Sequence, residues 1–237
     1  SSKFTMYRIT LHNSPKFHVR LSGTGHIVWG TTLLTPSKAT NSVGVPLTPH
    51  NARNTDGIDP GAGGGAVTNA TIVYNKISVG DDMIAIKGGS AATNITIGHN
   101  HFGSGHGMSI GSETNAGVSN INVCDLTIDN SLRPTGSPSV DVNGLRIKSD
   151  PSRGGHVNNV NYTEVCVRDV DNPIILNPMY APLSGSLIPT YTNIAIKNFH
   201  ATSTSVPQIV TLDGFDSSHV STATLDNVVV DGSPTVK

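Results

Sequence analysis

Asp56, Asp81, Asp82 and His106 are the residues whose types and spacing point to chemistry. Asp81 and Asp82 stand side by side in "GDDMIAIKGGS", residues 80–90, directly ahead of an apolar run in a chain of which only 13% is charged. Asp56 lies 25 residues before Asp81, and His106 lies 25 residues after it. A chain that repeats at that interval stacks Asp56, Asp81 and His106 in one column, with Asp82 beside it. Carboxylates held that close repel, so one of them is expected to keep a proton at a pH where another is ionised. One group can then give a proton to a leaving oxygen while another activates water, the division of labour that glycosidic cleavage needs. A lone Asp in such a chain reads as turn chemistry, its carboxylate bonding nearby backbone. Three gathered around one column with a His exceed that reading.

The elements that must carry these residues are strands. Gly, Asn, Thr and Ser fill the places that Lys and Glu take in helical proteins, and no stretch of ordinary helix length carries apolar residues at three-and-four spacing. Short alternating runs follow one another instead, "ATIVYNKISV", "MIAIKG", "NITIGHNHF", "INVCDLTI", "LRIKS" and "NIAIKNF" among them, with Gly, Asn, Asp, Ser or Pro between. An Asn ahead of alternating apolar residues recurs at 69, 94, 120, 159 and 193, at intervals of 25, 26, 39 and 34. The first two fit one coil of a β-solenoid, and the longer ones fit coils with inserted loops at "SLRPTGSPSVD" and "NPMYAPLSGSLIPT". In a parallel β-helix, residues one coil apart lie about 4.8 Å apart, so apolar positions stack into ladders. The 237 residues are read as one such domain, all-β, already inside a strand-rich coil at "SSKFTMYRITLHNSP" and expected to lack N-terminal coils and a cap.

The remaining signals concern the ligand. Arg146 and Lys148 are two apart on a strand and therefore share a face, where an Arg fork and a Lys suit an anionic sugar. Lys87, Arg153 and His18 are candidates for widening that basic groove. Tyr180, taken alone, reads as a packing residue at a loop base. Cys124 and Cys166 each lie in a strand-like run and read as free, packed thiols rather than a bridge or a metal site. A formal net charge of −1 with no basic block argues against nucleic acid, and no run approaches a membrane span. No interface signal is visible, so a monomer is the default.

Four motifs together resemble a known family. "NTDGID" (54–59), "GDD" (80–82), "GHGMSIGSE" (105–113) and "RIK" (146–148) are similar, in this order and spacing, to the signature motifs of glycoside hydrolase family 28, the polygalacturonases. The flanking "LHNSPKFHV", "NGLRIKSD" and "IILNPMY" resemble the bacterial endopolygalacturonases in particular. The resemblance implies a right-handed parallel β-helix that hydrolyses α-1,4-linked galacturonan in pectin with inversion, without metal or cofactor, outside the cell. It matches Asp81 to the general acid, and Asp56 and Asp82 to the pair that holds and activates water. It matches His106 to the support of the acid, Arg146 and Lys148 to cations that hold substrate carboxylates, and Tyr180 to a sugar contact on the leaving-group side.

Alternatives stay open at this level. Exo action, or hydrolysis of rhamnogalacturonan or xylogalacturonan, would use the same carboxylates. A calcium-dependent pectate lyase would use clustered aspartates as hard oxygen ligands, although such a site has no need of His106. In a non-catalytic carbohydrate-binding β-helix the acidic column would be turn chemistry only.

Overall fold

The structure is a computed structural model that describes residues 2–35, 40–47, 51–131, 142–181, 184–204 and 207–236. Every pairing between its named strands is parallel, and the strands form two sheets wound into a right-handed parallel β-helix. One sheet runs, coil by coil, through Val19–Leu21, Ile58–Pro60, Ile84–Ile86, Met108–Ile110, Asn143–Lys148, Asn172–Asn177, Ile209–Leu212 and Thr235–Val236. The other includes Val67–Val73, Ala92–Phe102, Val118–Asp129, His156–Arg168, Thr190–Thr202 and Ala223–Val230.

The recurring asparagines set the repeat. Ala70 pairs with Ile95, Ile95 with Ile121, Ile121 with Val160, and Val160 with Ile194, the same steps that separate the asparagines. Asn69, Asn94, Asn120, Asn159 and Asn193 all adopt a left-handed backbone (φ 53–58°), which bends each long strand around a corner of the solenoid. Asn tolerates that conformation because its short side chain bonds locally. Here the amides also bond one another: Asn94 donates to Asn69, Asn120 to Asn94 at 3.0 Å, and Asn159 to Asn120 at 2.8 Å. The core is the stack of inward residues between the sheets. One ladder runs Ile72, Ile97, Val123, Tyr162, Ile196, and each of these is almost wholly buried. Burying each aliphatic side chain contributes about 1.5–3 kcal/mol. The insertion "SLRPTGSPSVD" falls almost entirely outside the described residues.

Two expectations change. The sheet that carries the aspartates does not step by 25: Ile58 pairs with Ile84, and Ile84 with Met108, steps of 26 and 24. Asp56 is therefore level with Asp82, not with Asp81, and Asp81 stands at the edge of the column. Cys124 and Cys166 are free, as expected, but they are not packed. Strand alternation turns both outward, Cys124 half-buried and Cys166 exposed.

Candidate active site

The cleft is built on the outward-facing residues of the first sheet. Strand register sets Arg20 beside Asp59 and Ser109 beside Arg146, with Ala85 paired to Ser109. Two residues further along each strand, Lys87, Gly111 and Lys148 form a second row. Asp56, Asp81, Asp82 and His106 come from the turns that enter these strands. Gly107 shows why the "GHG" turn is written so: its φ is +78°, and a Cβ there would run into the carbonyl oxygens of Asn143 and Gly144. Arg20, Asp56, Asp59, Asp81, Asp82, Lys87, His106 and Lys148 all line a cleft of about 700 Å³.

Asp82 is the fixed point. It is 1% exposed, and both of its oxygens are occupied. Oδ1 accepts from the Arg146 guanidinium and from Ser109 Oγ at 2.8 Å, while Oδ2 accepts from Lys148 Nζ at 3.0 Å. Ser109 Oγ in turn accepts from Arg146 Nε at 3.1 Å. Burial alone would raise the Asp82 carboxyl, but Arg146 and Lys148 outweigh it and hold the group far below the usual carboxylate range. Lys148 is pulled below its ordinary value, first by its own burial and then, against the attraction of Asp82, by its cationic neighbours.

Asp81 is held differently. Its Oδ1 meets His106 Nδ1 at 2.8 Å and accepts from the Asp82 N–H at 2.9 Å; Oδ2 accepts from the Asn54 N–H at 2.6 Å. Burial pushes Asp81 up, yet the hydrogen bonds from His106 and Asn54 bring it below its ordinary value. One proton lies between Asp81 and His106, since a contact of that length between a ring nitrogen and a carboxylate oxygen needs one. Asp56 goes the other way. Burial, and next the charge of Asp82, raise it to about 7 against the attraction of Lys87, whose Nζ is 3.8 Å from Asp56 Oδ2. The two environments thus push proton affinity apart, upward at Asp56 and downward at Asp81, where Asp81 was expected to be the acid.

Asp59 was not legible as a site residue. It is fully buried at the cleft floor next to Asp56, and burial followed by the charges of Asp56 and Asp82 raises it well above the carboxylate range despite Lys87. Lys87 is raised correspondingly, because Asp59, Asp82, Asp56 and Glu113 outweigh its burial. A group with a raised folded-state pKa contributes stability below its unfolded value and loses it as pH rises through the folded one. Asp59→Asn should therefore melt with the wild type near pH 4 and become progressively more stable than it above, by about 1.4 kcal/mol for each pH unit crossed in that window. Melting curves recorded across pH would contradict this by running parallel.

The other expected residues separate into those the cleft includes and those it does not. Tyr180 is about half exposed on the rim, with its ring 5.8 Å from the Arg146 guanidinium carbon and 5.1 Å from Lys148 Nζ. It covers the two cations rather than packing at a loop base. Lys87 lines the cleft, but Asp56 and Glu113, each 3.8 Å away, already engage it. Arg153 and His18 are not among the lining residues. His18 instead holds the Asp56 backbone, its Nδ1 being 3.0 Å from the Asp56 carbonyl oxygen. Donor atoms of Asp81, Asp82 and His106 do lie within 4.8 Å of one another, the spacing a metal ion would need. A cation placed there would have to displace Arg146 and Lys148 from Asp82 and break the Asp81–His106 bond, so the donor set is already committed.

This geometry can be set against known proteins. The chain is 43% identical over 254 residues to a polygalacturonase of Ralstonia solanacearum, covering 98% of this chain and 46% of the relative. It is 41% identical to an endo-polygalacturonase of Pectobacterium carotovorum subsp. carotovorum, covering 96% of this chain and 50% of the relative. It thus spans about half the length of the curated relatives it matches. The solved polygalacturonase from Erwinia carotovora ssp. carotovora superposes with a TM-score of 0.81 at 39% identity, over 99% of this chain and 55% of that one. An endo-xylogalacturonan hydrolase from Aspergillus tubingensis, at 20% identity and a TM-score of 0.73, shares the fold. The sequence model of glycosyl hydrolases family 28 matches residues 1–237, with the acidic cleft inside the matched span, and the chain belongs to that family.

Proposed function

We propose that this chain carries the catalytic centre of a polygalacturonase that hydrolyses α-1,4 bonds of polygalacturonate with inversion, acting within the polymer. The observation that carries the reading is the arrangement of three carboxyls in one cleft, each held differently: Asp82 against Arg146 and Lys148, Asp81 against His106 Nδ1 at 2.8 Å, and Asp56 facing Lys87 at 3.8 Å. In this reading Asp81, the more exposed of the adjacent pair, delivers the proton to the glycosidic oxygen, and His106 holds that proton in line. Asp56 and Asp82 hold the attacking water. Asp56 is the effective base of the two, because a carboxylate whose pKa lies near the working pH takes a proton far better than one stabilised by two cations. An incoming uronate adds negative charge to the cleft and raises the proton affinity of Asp81, which favours its protonated form once substrate is bound. Tyr180, Lys148 and the Arg146 beneath them form the wall on the leaving-group side. The two relatives named polygalacturonase and endo-polygalacturonase support the substrate and the endo mode. Pectin lies outside cells, so the protein is placed there, acting as a monomer on the polymer alone.

A second reading rests on one observation, the elevated Asp56: Asp56 itself could be the acid. The active forms of the two readings differ only in whether Asp81 or Asp56 carries the acid proton, so the profile belongs to the pair and not to one residue. Reducing ends should appear from polygalacturonate without loss of activity in chelator and without an unsaturated, ultraviolet-absorbing product. kcat/KM should fall as pH rises through about 7, where Asp56 loses its proton in the free protein. In Asp56→Asn that alkaline limb should shift by a full unit or more, and an unmoved limb would remove Asp56 from the titrating set. Failure to release reducing ends would overturn the proposed activity itself.

A further inference from the structure

We propose that Arg20 and Arg53 bind carboxylates of uronate residues lying beyond the cleavage point, on the side of the cleft away from Tyr180. The proposal deepens the polygalacturonate reading and rests on it for the identity of the polymer. Four cations line the cleft, and they differ in what already holds them. Lys148 is bound to Asp82, and Lys87 is shared between Asp56 and Glu113. Arg20 and Arg53 are exposed, and among the described residues neither has an ion pair or a side-chain hydrogen bond; Arg20 lies near the Phe17 ring, whose centroid is 5.8 Å from its guanidinium carbon, and against Gly63. Two guanidinium forks thus face the cleft with their donors unspent.

Their position fits an extended substrate. Arg20 lies on the strand Val19–Leu21, paired with Asp59, and that strand is two sheet spacings, roughly 10 Å, from Ile84–Ile86 behind Asp81 and Asp82. Arg53 precedes Asn54, whose N–H holds Asp81. Tyr180 lies on the opposite side, beyond the strand Asn172–Asn177. The glycine-rich wall leaves room for the Arg20 guanidinium: Gly63 has φ +82°, and a Cβ there would run into it. The acidic floor opposes this less than its residue types suggest, because Asp56 and Asp59 take up protons readily and Asp82 is neutralised by Arg146 and Lys148. Guanidinium forks match carboxylates in a bidentate way, and a cleft edge carrying two of them would select a charged uronate over its methyl ester.

The test compares wild type, Arg20→Gln, Arg53→Gln and the double variant in the full chain, with hexagalacturonate and its fully methyl-esterified form as probes at low ionic strength. Affinity is read by titration calorimetry with each change combined with Asp81→Asn, which keeps binding and lacks turnover, and turnover is read from reducing ends without that change. Each substitution should raise Kd and KM for hexagalacturonate about three- to tenfold, with kcat little changed, as expected for a partly exposed charge-assisted pair. On the esterified hexamer, wild type and variants should behave alike. Unchanged affinity of the double variant for hexagalacturonate, or an equal loss on the esterified form, would overturn the assignment. A wild type that binds hexagalacturonate without cleaving it would sink the hydrolase reading while leaving this one to be decided by the calorimetry.

Discussion

Asp81→Asn is expected to lower kcat on polygalacturonate by roughly 10²- to 10⁴-fold, the usual contribution of a positioned acid or base. The amide preserves size but has a single acceptor oxygen: turned to the Asn54 N–H, it presents its NH2 to His106, where it can donate to an unprotonated Nδ1, and the bond from the Asp82 N–H is lost. What it cannot do is release a proton to the glycosidic oxygen. Substrate binding should survive or tighten, since a negative charge facing a polyanion has been removed. The rival assignment to Asp56 makes a different forecast. An enzyme deprived of its acid loses least on a substrate whose leaving group needs no proton, so Asp81→Asn should recover much of its rate on an aryl galacturonide with an acidic phenol. Asp56→Asn should not, if Asp56 serves the water. Recovery in Asp56→Asn and none in Asp81→Asn would exchange the two roles, and near-normal turnover of Asp81→Asn on the polymer would remove it from the chemistry.

How far these roles were legible in the sequence depends on what each residue is bonded to. The asparagines at 69, 94, 120, 159 and 193 announced the coils because a left-handed corner selects Asn from among the side chains and leaves a visible period. The acidic column was found by the same arithmetic and was displaced by one residue. Its own sheet steps by 26 and then 24, since the turns entering Ile84–Ile86 and Met108–Ile110 are not equal in length. A period averaged over coils carries no information about a single turn. Asp59 lay in view inside "NTDGID", but its burial depends on the strand facing the cleft floor, and one acid between apolar neighbours looks like any turn residue. Arg20 and Arg53 carry no pattern at all; only the side chains around them show that the other cations are engaged and these two are not. Arg146 and Lys148 were legible as a pair on one face. Their partner was not, because Asp82 is 64 and 66 residues away in the chain.

That partnership changes what removing Arg146 should do. A cation on an open groove would contribute mainly to substrate affinity, and Arg146→Ala would then raise KM and little else. Arg146 is instead 5% exposed beneath Tyr180, with its guanidinium on Asp82 and its Nε on Ser109. Deleting it leaves a fully buried carboxylate with Lys148 as its remaining cationic partner in contact, and breaking one side of a buried ion pair typically costs about 3–5 kcal/mol. For a chain of this size that corresponds to a fall of roughly 6–20 °C in Tm. Lys148→Ala should cost less, because burial and the neighbouring Arg146 and Lys87 already disfavour the charged lysine. Both losses should shrink in an Asp82→Asn background, where no buried charge is left to compensate, and a double-mutant cycle on Tm reads that coupling directly. The catalytic effect follows from the same bond. Without Arg146, Asp82 regains proton affinity and no longer anchors water as a fixed anion, so kcat should fall together with stability. An Arg146→Ala protein that melts like the wild type and differs only in KM would show that Arg146 serves the substrate rather than Asp82.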